Sequence, residues 1–156
     1  MRNYYWNLES WGSDYPPEDA EIICDLANAA IAYYADNHPE ASSADLANYS
    51  EKLWEDYCSG SGLKLVYIAK ETRYEMFGGD SYDLLTTFNL EEAMDAVLSD
   101  WNYLTPNERG RCMVHIDVIR GFGETPEDVV GSHLVGLGWI DIYHCLAFNE
   151  ETKTFY

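Results

Sequence analysis

The side chains with the most reactive chemistry are four cysteines, Cys24, Cys58, Cys112 and Cys145, and the histidines His115, His133 and His144. His144 and Cys145 are neighbours, which invites an imidazole-activated thiol. On a strand, however, successive side chains point to opposite faces, so these two cannot form a nucleophile–base pair. His115 or His133 could supply a base only if the fold brought it there. None of the cysteines forms a C-x-x-C pair, and their spacing with the histidines matches no zinc template. Cys24 falls on an apolar helix face and Cys112 and Cys145 in apparent strands, so buried free thiols are the expectation.

Other chemistry is equally thin. Gly78-Gly79 and Gly121-Phe122-Gly123 could approach a phosphate, but neither carries the P-loop lysine or the dinucleotide-binding pattern. The nearby Asp80 and Glu124 would repel one. The carboxylate pairs Glu91/Glu92 and Glu127/Asp128 diverge by about 100° on a helix, and they stand at helix starts, where the dipole accounts for them. No D-x-D-x-D-G loop occurs, and Asp80 with Asp83 offers too few oxygens for calcium. The expectation is therefore a protein that is not an enzyme, with no catalytic residue, no metal and no cofactor.

The elements that would position these residues are readable from periodicity. A short strand is suggested at Tyr4–Leu8. Pro16-Pro17 opens a first helix with Glu18, Asp19 and Glu21 in its first turn, apolar at Ile23, Ala27, Ala30, Ile31 and Tyr34, ending before His38-Pro39. Ser42 and Asp45 cap a second helix, which stops at Ser59-Gly60-Ser61-Gly62. Strands follow at Leu63–Ile68, Thr72–Phe77 and Tyr82–Phe88, the last two flanking a Gly78-Gly79-Asp80 turn. Asn89 caps a third helix with apolar Leu90, Ala93, Met94, Val97, Leu98 and Trp101. Thr105-Pro106 and Thr125-Pro126 start short helices, the second limited by Gly131, Gly136 and Gly138. Met113–Ile119 and Trp139–Phe148 are the remaining long strands, with Lys153–Tyr156 turning back. This order predicts an α+β fold: an N-terminal helical pair (1–62), then a mostly antiparallel sheet with one main packed helix (63–156), as two modules or one continuous domain.

Charge separates the function classes. Twenty-eight Asp and Glu face nine Lys and Arg, a net charge of −19 over 156 residues, and 47% of the chain is apolar. That apolar content argues for a folded protein. The charge excludes ordinary nucleic-acid binding, which needs Lys and Arg on phosphates, and disfavours anionic membranes. No apolar leader follows Met1-Arg2, so a cytoplasmic protein is expected. Residues 1–62 are the most one-sided, with twelve acids against two basic residues. Asp14, Glu18, Glu21, Asp25, Asp36, Asp45, Glu55 and Asp56 are the candidate partner-binding set. Residues i and i+4 stand about 6 Å apart along a helix, and a DNA strand carries a phosphate about every 3.4 Å of axis. Two acidic helices could thus imitate a charged duplex edge, with exposed Tyr and Trp as anchors.

Size, acidity, aromatic content and two phrases carry a resemblance. The phrases are Pro16-Pro17-Glu18-Asp19-Ala20-Glu21 and the stretch from Asn89-Leu90-Glu91-Glu92-Ala93 to Trp101-Asn102-Tyr103-Leu104-Thr105-Pro106-Asn107-Glu108-Arg109. With these features the chain resembles the small acidic proteins of phages and mobile elements that disarm host defence, the anti-CRISPR and antirestriction proteins. These inhibitors share no motif that carries functional residues across. The resemblance implies a host-cell inhibitor whose partner is the basic nucleic-acid channel of a CRISPR effector nuclease. The alternatives are an antirestriction DNA mimic and an acidic adaptor for an unrelated basic host protein.

Overall fold

The computed structural model describes residues 4–7, 19–75 and 78–156. Asp14, Glu18 and the Pro16-Pro17 helix start lie outside the described residues. The chain forms two compact units, one of residues 1–64 with 120–141 and the other of residues 65–119 with 142–156. Where the sequence suggests one break after residue 62, the segment 120–141 joins the N-terminal helices. The class is α+β.

The first unit holds α1 (Ala20–Asn37) and α2 (Ser43–Ser59). Asp19 is the N-cap residue of α1, so it precedes the first turn rather than lying within it, and Pro39 follows the His38 cap. Ile23, Leu26, Ala27, Ala30 and Ile31 of α1 pack with Leu53 of α2, Trp6 and Phe122. The Trp6 ring meets Trp54 edge-on at 5.1 Å and Phe122 at 5.5 Å. Residues 4–7 are not the expected strand. The Trp6 amide instead donates to Asn28 Oδ1 at 2.6 Å, and Asn28 Nδ2 donates to the Trp6 carbonyl at 3.0 Å. One side-chain amide thereby satisfies both main-chain groups that a partner strand would have engaged.

The second unit is built on a sheet of strand order β2-β1-β3-β4-β5, with antiparallel pairing at β1–β2, β3–β4 and β4–β5. Its strands are β1 (Lys64–Glu75), β2 (Gly78–Thr87), β3 (Cys112–Gly121), β4 (His144–Asn149) and β5 (Thr154–Phe155). Lys64, Arg120 and Gly121 at strand ends belong to the first unit. The two strands expected over 63–77 are a single strand, β1, with a bulge between Ala69 and Lys70 that absorbs the break in alternation. Gly78, Gly79 and Asp80 pair within β2 instead of forming the turn. The last long strand begins at His144 rather than Trp139. α3 (Leu90–Tyr103) packs Ala93, Val97 and Trp101 against Ala69, Val114, Ile116 and Val118. The one-turn α4 (Pro106–Arg109) follows with a complete Thr105–Glu108 capping box. Among the described residues, no helix is long and apolar enough to cross a membrane.

After β3 the chain returns to the first unit as α5 (Pro126–Ser132), which continues into a π-helical turn at His133–Leu137. The glycines do not cut it short as the sequence suggests. A Cβ on Gly136 would lie 2.3 Å from Ala29 Cα, and one on Gly131 would lie 2.4 Å from the Tyr33 ring. Both glycines serve close approach to α1, and only Gly138, at φ +88°, ends the helical run.

Gly136→Ala should lower the stability of the folded protein by about 1–3 kcal/mol, the usual range for overpacking, because its new methyl meets α1 backbone. Urea denaturation checks this, with Gly60→Ala as a comparison that meets no neighbouring atom but strains a positive φ.

Candidate functional site

Acid dominates the first unit. Its sequence carries sixteen Asp and Glu against four Lys and Arg, a net of −12. Three of those cations are described, and all are engaged internally. Arg120 Nη1 donates to Asp19 at 2.7 Å, Lys64 Nζ donates to the Gly123 carbonyl at 2.8 Å, and Lys52 lies 3.8 Å from Glu124. The Arg120 hydrogen bond holds the Asp19 carboxyl below its ordinary range.

Of the candidate partner-binding residues, Glu21, Asp25 and Asp36 are exposed on α1 and fall within about 60° of one another at 100° per residue. Glu55 is exposed and Asp56 half-buried on α2. None of these five is in an ion pair among the described residues. Asp45 has a structural task. It accepts from the Ser42 amide at 2.9 Å, while its own amide donates to Ser42 Oγ at 3.1 Å.

A cleft of about 240 Å³ in the same unit was missed from sequence. Along it the His38 ring stacks on Tyr34 and Tyr34 stacks on Tyr49, each pair with centroids 4.1 Å apart. Tyr33, Glu124 and Asp128 also line it, and no Lys or Arg does. Burial, then the charges of Asp128 and Glu124, push the Tyr49 hydroxyl up to about 12. Tyr33 donates to Asp128 Oδ1 at 3.5 Å, and Asp128 Oδ2 completes the α5 capping box with Thr125. Stacked aromatic rings beside carboxylates suit a cationic side chain, above all a planar guanidinium. The i, i+4 pair Tyr34–His38 was legible in the sequence. Tyr49, Glu124 and Asp128 reach the cleft only through tertiary packing.

The histidines divide into distinct roles. His133 is fully buried. Its Nδ1 accepts from the Asp141 amide at 3.0 Å, so Nε2 carries the proton that is donated to the Arg120 carbonyl at 2.9 Å. It is a core residue with both ring nitrogens hydrogen-bonded. In the second unit the fold does bring a histidine to Cys145. Asp117 and Cys145 are directly opposed across β3 and β4, and His115 shares the strand face of Asp117 two residues away. His115 Nε2 lies 3.2 Å from Asp117 Oδ1, and Lys70 Nζ lies 3.1 Å from Oδ2. Burial raises the Asp117 carboxyl, but its hydrogen bonds from His115 and Lys70 bring it below the ordinary value on balance. The Cys145 thiol is pushed up, by burial first and then by Asp117. Only Cys24 is buried; Cys58 and Cys145 are exposed and Cys112 is half-buried, against the expectation of buried thiols.

No family model, no curated protein and no solved structure matches the chain.

Two outcomes test this geometry. Ultraviolet titration should resolve a tyrosine ionising near 12 that is absent in Tyr49→Phe, and Glu124→Gln should lower that midpoint. His133→Ala should cost about 2–4 kcal/mol in urea denaturation, from a core void and two orphaned backbone groups.

Proposed function

We propose that the protein is a non-enzymatic inhibitor that binds a basic, nucleic-acid-handling protein and occupies its nucleic-acid channel. The observation that carries this reading is the uncompensated acid of the first unit, whose described cations are all engaged internally while Glu21, Asp25, Asp36 and Glu55 stay exposed. A surface with that imbalance repels itself and destabilises the compact state, a cost that a basic partner relieves on binding. Charge complementarity would also speed the encounter and select the partner. The aromatic cleft adds a place for one arginine side chain of the partner, the kind of buried anchor that dominates protein interfaces. The resemblance to anti-defence proteins narrows the partner to a CRISPR effector nuclease in the cytoplasm of a bacterial host. The chain then acts as a DNA mimic and binds neither nucleic acid nor membrane itself.

The test is DNA cleavage by a panel of RNA-guided effectors, with order of addition varied. Protection is expected when the protein is added before DNA and is lost when DNA is bound first. Reversing Glu21, Asp25, Asp36 and Glu55 to Lys should slow association by about 10–10³-fold with the circular dichroism spectrum unchanged. Undiminished inhibition by that variant would remove these residues from the interface.

A further inference from the structure

Among the described residues, one group of three side chains has ligand atoms close enough to share a metal ion: His115, Asp117 and Cys145, all within 4.8 Å of one another. We infer that these three residues bind a single zinc(II) ion on the face of the β3–β4 pair opposite α3.

Antiparallel register sets Asp117 opposite Cys145, and the two-residue period places His115 on the same face. The flanking Ile116 and Val118 point the other way into the core beneath α3. The backbone therefore holds all three ligand carriers in place, and only side-chain rotation is needed to close on an ion about 2.0–2.3 Å from each atom.

The donor set is one nitrogen, one oxygen and one sulfur. Calcium and magnesium require oxygen ligands. A mixed set of imidazole, carboxylate and thiolate suits the borderline-soft zinc ion, with solvent as the fourth ligand. Exposed Cys145 opens the cluster to water, giving both an entry path and that fourth position.

Charge also balances. On binding, the Cys145 thiol loses its proton to solvent, and thiolate and Asp117 carboxylate together offset the two charges of zinc. Lys70 stays on Asp117 Oδ2, which leaves Oδ1, the oxygen facing His115, for the metal. The imidazole tautomer with its lone pair on Nε2 is reached without breaking a bond at Nδ1, which has no hydrogen-bond partner.

The test is titration of the reduced full-length protein with zinc(II) and cobalt(II). One equivalent should bind, and cobalt should give a thiolate charge-transfer band in the near ultraviolet. Cys145→Ser should abolish that band, and both it and His115→Ala should weaken zinc by more than the roughly 10–100-fold typical of losing an outer-shell partner. Cys58→Ser and Cys112→Ser should leave binding intact. A readout that needs no variant is alkylation of the wild-type protein: zinc should protect Cys145 from iodoacetamide and leave exposed Cys58 reactive. Absence of stoichiometric binding, a cobalt band that survives in folded Cys145→Ser, or equal alkylation of Cys145 with and without zinc would overturn the proposal.

Discussion

Nine cations must serve twenty-eight carboxylates, and much of the structure follows from that shortage. Salt bridges cannot neutralise so many acids, so backbone amides stand in for the missing lysines. Asp45, Glu108 and Asp128 each close a capping box, placing their charge on the unpaired N–H groups and positive dipole of a helix start. Asn89 caps α3 without charge, and Glu91 and Glu92 then fill its first turn. Acid that would repel elsewhere becomes stabilising where helices begin.

Three of the described cations pair with carboxylates at structural positions. Arg120 holds the Asp19 cap at the start of α1, Lys70 holds Asp117 on the sheet, and Arg73 stands 3.4 Å from buried Glu71 and 3.9 Å from Glu108. Glu71 and Asp117 are among the few buried polar residues, and a buried carboxylate without a partner would be costly. Glu21, Asp25 and Asp36 of α1 and Glu55 of α2 are exposed and have no ion pair among the described residues.

Much of the architecture was legible because its signals are local. α3 was readable from Asn89 and its apolar stripe, α2 from Ser42 and Asp45, and the end of α1 from Pro39. Strand limits were less legible. A bulge at Ala69/Lys70 broke the alternation that marks β1 as one strand, and Gly78-Gly79 resembled a turn while lying inside β2. Gly131 and Gly136 resembled helix breakers because their reason, contact with Tyr33 and Ala29, lies about a hundred residues away in the chain. Of the candidate acids, the α1 set was readable as a face from helical period alone, whereas the capping duty of Asp45 separates it from the others.

Sequence by itself determined the caps of α2, α3, α4 and α5, the apolar stripe of α3 and the uneven distribution of charge, because each depends on residue type and on spacing within a few positions. Tertiary structure alone decided that residues 120–141 complete the N-terminal unit, that Tyr34, Tyr49, Glu124 and Asp128 share a cleft, and that Cys145 meets Asp117 and His115. Those groupings depend on strand register and on the approach of distant segments, and neither is encoded in any single stretch of the chain.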